Sequence, residues 1–479
     1  MSELASRFDL SEFELGGLKI RPRERHIRSA TATLTVEPLV MELLMVLSRR
    51  AGQLVSRREI FEVCWGEAPV GDDSLNRVVA ILRKTLTRAA GANIRVETVP
   101  SAGYVLRLEG NSSGNGSSAD AQEAIEAATH SWRMGLPEPD YLRLESLRRA
   151  CAVEPGNARA WGMLALLARH AVEYGEAEAT PEYVRECEQA ATRATALDPL
   201  QPEALTAMAC VAPLFGRWTD GRRRLSAILQ DSPNCVAATE ELAVLEMATG
   251  RIRASIGLRA PLIAADPLAA LYGHKAIYQL WSVGDFTEMD HVADRAIQLW
   301  PTHPAVWMAR LWTLAYTGRI QAALDMIEDA TLRPRMPEPA IGYLRSVLGA
   351  SEHGGSVQKG RAVEASRKTA LTGPANALAA IFGLGLLDRP DDAFAVADGY
   401  YLRAGSGPVP VRHTQAEPSV NEQHRRLTQI LFTPVFAKLR PDRRFLQLCE
   451  RIGLCRYWDQ NALNPDFMIP DAVDASARL

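Results

Sequence analysis

Apolar side chains recur every three or four residues over positions 36–50, where Val36, Val40, Leu43 and Leu47 share one stripe and predict a helix. A second helix opens at Ser56. Ser56 and Glu59 have the spacing of a capping box, and Ile60, Phe61, Cys64 and Trp65 supply a buried side. After a polar turn at Gly66–Gly71, Asp72 and Asp73 can cap a third helix running to Arg88. The flanking stretches alternate instead. FEL and LKI sit on either side of Gly16-Gly17, a hairpin signal, and IRVETV and YVLRL flank a Pro-Ser-Ala-Gly turn. The predicted order is short strands, three helices and a terminal β-hairpin.

Further along, two kinds of punctuation repeat in register. Prolines 199, 233, 267 and 301 are each 34 residues apart, and so are glycines 216, 250, 284 and 318. Each glycine follows its proline by 17 residues. A 34-residue unit with Pro at the end of one helix pair and Gly between its helices is the tetratricopeptide period. Asp198-Pro, Asp266-Pro and the basic residues Arg217, Arg251 and Arg319 after three of the glycines agree with it. The step from Pro155 to Pro199 is 44 residues, so that repeat carries about ten extra, expected near Glu173–Thr180.

Composition divides the chain. Gly110–Asp120 has no apolar side chain larger than alanine and reads as a flexible tether. Ser351–Arg361 is a weaker polar boundary. The expected domains are therefore 1–109, a linker at 110–120, helical repeats over 121–350 and a C-terminal helical region over 351–479. The longest uncharged apolar stretch, Ala377–Leu387, is 11 residues, short of the ~20 that cross a bilayer. The first residues lack the apolar core of a signal peptide. Seven scattered cysteines never form a C-x-x-C pair, which argues against disulfides or a zinc site. A cytoplasmic protein with no membrane partner is the expectation.

Net charge is −3 overall and +2 over residues 1–110, so a nucleic-acid reading depends on where the cations sit. On the third helix, at about 100° per residue, Leu75, Val79, Leu82 and Leu86 form a core stripe. Arg77, Lys84 and Arg88 collect on the opposite side, with Ala80 and Ile81 beside them. Such a face can enter a DNA major groove, where small and apolar neighbours permit close approach. Arg77, nearest the helix N-terminus, is the base-contact candidate, and Ala80 and Ile81 can touch a thymine methyl. Lys84, Arg88 and Arg83 are expected at phosphates. A capped helix, a turn, a basic helix and a β-hairpin together make a winged helix-turn-helix. The fold class expected is thus an α+β winged helix-turn-helix N-terminal domain followed by an all-α tetratricopeptide-like solenoid.

The segments LTVEPLVMELLMVLSRRAGQLVSRREIFEVCWG, DDSLNRVVAILRKTL and IRVETVPSAGYVLRL resemble the OmpR/PhoB-type winged-helix DNA-binding domain over about 95 residues. The resemblance implies a transcription regulator, with Asp72–Arg88 as recognition helix and Glu67–Asp72 as a loop that in some relatives faces RNA polymerase. The family often has a basic residue at the wing turn. Here Pro100-Ser101 stands there, which makes Arg95 or Arg107 the substitute phosphate contact. About a dozen residues precede the first strand, so control by phosphorylation of a receiver domain is not expected. A winged helix followed by helical repeats resembles the HilA/CadC/ToxR group, without that group's frequent membrane span, and favours activation over repression.

Double-stranded promoter DNA is the expected partner, RNA polymerase a second, and a protein, a small effector or a second copy of the chain could occupy the repeats. Aromatics from Tyr272 to Tyr316 either fill spaces between small-residue helices or line an effector site. No phosphate loop, nucleophile elbow or H-E-x-x-H helix occurs, so no catalytic residue, cofactor or metal ligand is assigned. The competing class is a repeat-based protein-interaction scaffold whose winged helix contacts protein.

Overall fold

The computed structural model describes residues 12–29, 33–52, 54–65, 72–90, 94–99, 103–108, 118–175, 179–212, 214–405 and 428–469. They fall into two compact units. One comprises Met1–Ala124 and Asp140–Pro155, the other Ile125–Pro139 and Gly156–Leu479.

The first unit opens with an antiparallel meander, β1 (Phe13–Leu15), β2 (Leu18–Arg21), β3 (His26–Arg28) and β4 (Thr33–Thr35). Gly16 and Gly17 both have positive φ, the backbone a two-residue hairpin turn demands. Helix α1 (Pro38–Arg49) starts with Pro at its first turn, where a missing N–H costs nothing. It buries Val40, Leu43 and Leu47 as expected, and Met41 and Leu44 besides. A strand absent from the sequence reading, β5 (Leu54–Ser56), leads into α2 (Arg57–Cys64). The Glu59 N–H donates to Ser56 Oγ at 3.1 Å, half of the expected capping box. The Glu59 carboxylate does not complete the box; it pairs with Arg50 at 2.9 Å, the stronger partner being a full charge.

Helix α3 (Asp72–Ala90) and the hairpin of β6 (Ile94–Val99) and β7 (Gly103–Leu108) complete the domain, with strand order β5-β7-β6. Gly103 is dictated by space: a Cβ there would lie 2.0 Å from the Val55 carbonyl oxygen. Ile94, Val96, Tyr104 and Leu106 face a single core shared with α1 and α3. On the other face of the hairpin, Val105 is covered by Leu54 and Tyr141, the latter opening a helix, Tyr141–Val153, that belongs to this unit.

The second unit is all helical. Helix pairs follow one another: α8 (Pro202–Val211) with α9 (Trp218–Asp231), α10 (Val236–Ala248) with α11 (Ile252–Ala265), α12 (Ala270–Val283) with α13 (Phe286–Leu299), and α14 (Pro304–Tyr316) with α15 (Ile320–Glu328). The numbering counts α4 (Ser118–Met134), α5 (Tyr141–Val153), α6 (Ala158–Tyr174) and α7 (Thr180–Leu197) before them. The four phased glycines fall in the turns within pairs, all at φ between +75° and +82°. The four prolines fall between pairs. The extra residues before Pro199 lengthen α6 and α7 to 17 and 18 residues. Residues 118–120, read as tether, open α4. The polar stretch 351–361 is helix apart from Gly354 and Gly355, because α16 (Glu338–His353) and α17 (Ser356–Ala370) continue the pairing, with α18 (Pro374–Leu386) and α19 (Pro390–Leu402) after them.

The last described segment returns to earlier helices. It carries α20 (Arg443–Arg451) and α21 (Leu454–Asn461) between short 3-10 turns. Trp458 Nε1 donates to the Thr249 carbonyl at 2.8 Å, and Trp218 Nε1 to the Ile452 carbonyl at 2.9 Å. Asp466 receives the Arg253 N–H at 2.7 Å, capping α11 from 213 residues away. The aromatic run is packed by the chain itself. Trp281, Trp307 and Trp312 are fully buried, and Phe382 of α18 lies 5.0 Å from Trp312 and 6.3 Å from Trp281.

Candidate nucleic-acid interface

Helix α3 has two sides of opposite character. Leu75, Val79, Leu82 and Leu86 are buried, joined by Val78, which the stripe drawn from the sequence left out. Arg77, Ala80, Lys84 and Arg88 are exposed, and Ile81 is half-buried, packed partly against the core. Five apolar side chains thus hold the rod down while three cations project from its far side. Among the described residues, none of Arg77, Lys84 and Arg88 forms an ion pair, so their charge is available to a polyanion.

Arg83 behaves differently. Its Nε donates to the Val96 carbonyl at 2.7 Å, tying α3 to the first strand of the wing. A second tie lies nearer the helix N-terminus. Arg57, the first residue of α2, donates through Nη1 to Tyr104 Oη at 3.2 Å and through Nη2 to Asn76 Oδ1 at 3.3 Å. Tyr104 Oη donates in turn to Asn76 Oδ1 at 3.0 Å, and the guanidinium carbon lies 5.6 Å from the Tyr104 ring centre. Three residues from α2, α3 and β7 therefore form one closed cycle that sets the angle between the two helices and the wing.

Arg95 is exposed but stands on the hairpin face with Val105, opposite the face that meets α3, so it does not join the α3 cluster. Arg107 is its register partner, and its side chain lies outside the described residues, as do those of Asp72 and Asp73. The wing turn at Pro100-Ser101 and the loop at 67–71 lie outside them too.

The arrangement of β-sheet, three helices and terminal hairpin agrees with a comparison to known families. Residues 31–106 match the family described as "Transcriptional regulatory protein, C terminal". The match supports an OmpR/PhoB-type winged-helix DNA-binding domain at the N-terminus. The transcriptional regulatory protein CutR of Streptomyces coelicolor (strain A3(2)) and that of Streptomyces lividans are each 31% identical over 91 residues. That stretch is 19% of this chain and 41% of either relative, so the chain spans less than half the length of the relatives it matches.

Asn76, Arg57 and Tyr104 went unnamed as site residues in the sequence reading. Asn76 falls about 100° from Leu75 on the helix, already outside the core stripe. Arg57 and Tyr104 are 47 positions apart, and no periodicity links them. No described helix is long and apolar enough to cross a membrane, and no described cluster of His, Cys, Asp and Glu could hold a metal ion.

Proposed function

We propose that the chain is a sequence-specific DNA-binding transcription regulator that reads the major groove with α3. The observation that carries this reading is the exposed trio Arg77, Lys84 and Arg88 on a helix anchored by buried leucines, inside a winged-helix domain. Arg77 contacts a base edge, and Ala80 and Ile81 meet thymine methyl groups. Lys84 and Arg88 neutralise phosphates, and the wing arginines Arg95 and Arg107 reach phosphates at the flank. Arg83 serves chiefly as the tie between helix and wing. The protein acts in the cytoplasm without catalysis, and by family likeness as an activator whose 67–72 loop meets RNA polymerase.

Residues 121–350 are read as tetratricopeptide-like repeats, supported by two ladders locked at 34 residues and by helices that begin and end at their marks. A protein, a small effector or a second copy of the chain is their partner. A domain that binds DNA through its cations loses affinity as log K falls by about 0.9 per neutralised phosphate against log salt. The test is gel-shift titration of the full chain, across a salt series, on duplexes enriched from a randomised pool. No enriched sequence and no salt dependence would leave the scaffold reading in its place.

A further inference from the structure

Asn76 is exposed on α3, one position before Arg77, yet its side chain is not free to turn. The Arg57 guanidinium has only donors, so the Asn76 atom 3.3 Å from it is the amide oxygen. Tyr104 Oη, which already accepts from Arg57, spends its own proton on that same oxygen at 3.0 Å. Every donor and acceptor in the cycle is consistent with this one orientation. The amide oxygen is thereby consumed, and the Nδ2 group is left as a pair of donors. Among the described residues no acceptor meets it.

An asparagine ordinarily recognises adenine by giving a hydrogen to N7 and taking one from N6, which requires a free oxygen. Asn76 has none to offer. A donor-only group matches an edge that presents only acceptors, and guanine presents N7 and O6 side by side. Residues near the N-terminus of a recognition helix are the ones that reach base edges, and Asn76 lies in the first turns of α3. We infer that Asn76 is a specificity-determining residue, held by Arg57 and Tyr104 so that it selects guanine and rejects adenine beside the base read by Arg77. This rests on the DNA-reading proposal above.

The experiment enriches randomised duplexes on the full-length protein and on two variants. Asn76→Asp keeps an oxygen for Arg57 and Tyr104 but replaces the donors with an acceptor. Asn76→Ala removes the donors without adding charge but also opens the cycle, so its urea unfolding is measured beside that of Asn76→Asp, which keeps the oxygen. In the wild-type motif one position shows guanine over adenine by roughly five- to tenfold, the low end of a good base contact. Both variants bring that ratio to near one and leave the remaining positions intact; the added charge of Asn76→Asp weakens all duplexes alike and cancels in the ratio. A wild-type motif that neither variant alters, or one with adenine at the altered position, overturns the role of Asn76 while DNA reading stands. Failure of the wild type to enrich any motif removes the DNA reading itself, and this inference with it.

Discussion

Arg83 and Val96 are joined by a 2.7 Å hydrogen bond from the guanidinium Nε to the backbone carbonyl, which fastens α3 to the first strand of the terminal hairpin. The residue lies in a basic run, ILRKTLTR, in which charge alone does not distinguish a groove contact from a structural tie. The Nε bond to a carbonyl in a strand edge gives Arg83 a structural role, while the residue itself stays exposed.

Arg83→Ala is accordingly expected to lower the stability of the winged helix by about 1 kcal/mol, the usual worth of one such bond. The slope of log K against log salt should stay nearly unchanged. Lys84→Ala, by contrast, should reduce that slope by about 0.9 with little change in stability. Urea unfolding and salt-titrated gel shifts on both variants separate the roles. A full phosphate's loss of slope in Arg83→Ala would return it to the DNA-contacting set.

Arg77→Ala should weaken binding to the preferred duplex by about 1–3 kcal/mol and relax the preference at one base pair. Lys84→Ala and Arg88→Ala should weaken preferred and random duplexes equally. Competition between the two kinds of duplex measures this directly. An unchanged preferred site in Arg77→Ala would mean that the base-reading face has been placed wrongly.

Much of this domain was legible because its signals are local. The spacing of Leu75, Val79, Leu82 and Leu86 is a property of one helix, and Gly16-Gly17 of one turn. The phase of Pro and Gly placed the boundaries of α8 to α15 for the same reason. What escaped depends on partners far apart in sequence. Strand β5 is three residues long and exists because β7 pairs with it. Glu59 had the spacing to return to Ser56, but Arg50, an equally local residue, offered a charge. The Arg57–Tyr104–Asn76 cycle, the capping of α11 by Asp466 and the filling of the aromatic run by Phe382 are tertiary events, and no window along the chain contains them.

Glu240 and Arg259 are both fully buried and joined by two hydrogen bonds at 2.9 and 3.1 Å, with Lys275 adding a third contact at 2.6 Å. Burial by itself would raise the Glu240 carboxyl, yet Arg259 and Lys275 together hold it below its usual range. Arg259→Met should cost up to about 3 kcal/mol, since it leaves the buried carboxylate with Lys275 as its one remaining cation. Adding Glu240→Leu should recover most of the loss. Urea midpoints of the single and double variants test this, and additive losses would contradict it.

Trp458 anchors the returning C-terminal segment through its bond to the Thr249 carbonyl. Trp458→Phe keeps an aromatic ring and deletes the donor, leaving a buried carbonyl unmet at a cost of about 1–3 kcal/mol. Native-state hydrogen exchange should then show faster opening at residues 443–461 than in the parent protein. Equal protection in both would show that the segment is held by ring packing alone.

The helical unit should lose stability in mildly acidic solution because of two stacked histidines. The rings of His274 and His303 lie 6.1 Å apart. Burial lowers His274 well below its ordinary value, and neighbouring Lys275, His303 and Arg259 push the same way. Burial also lowers His303, against a hydrogen bond to the Met134 carbonyl that favours the proton. His303 uses both nitrogens in its neutral form: Nδ1 accepts the Val306 N–H at 3.4 Å as the cap of α14, and Nε2 donates to Met134. A second proton would have to displace that cap. The unfolded chain takes up protons at these residues below about pH 6.5 while the folded one does not, so stability falls as pH drops through that value. The buried Glu240 carboxyl is lowered as well, but it acts further down, below about pH 4.5, and leaves the histidine window separate. Urea unfolding between about pH 7 and 5.5 should show a declining free energy, and His274→Gln should flatten it. A parent protein equally stable at both ends of that range would mean that the pair accepts its protons within the fold.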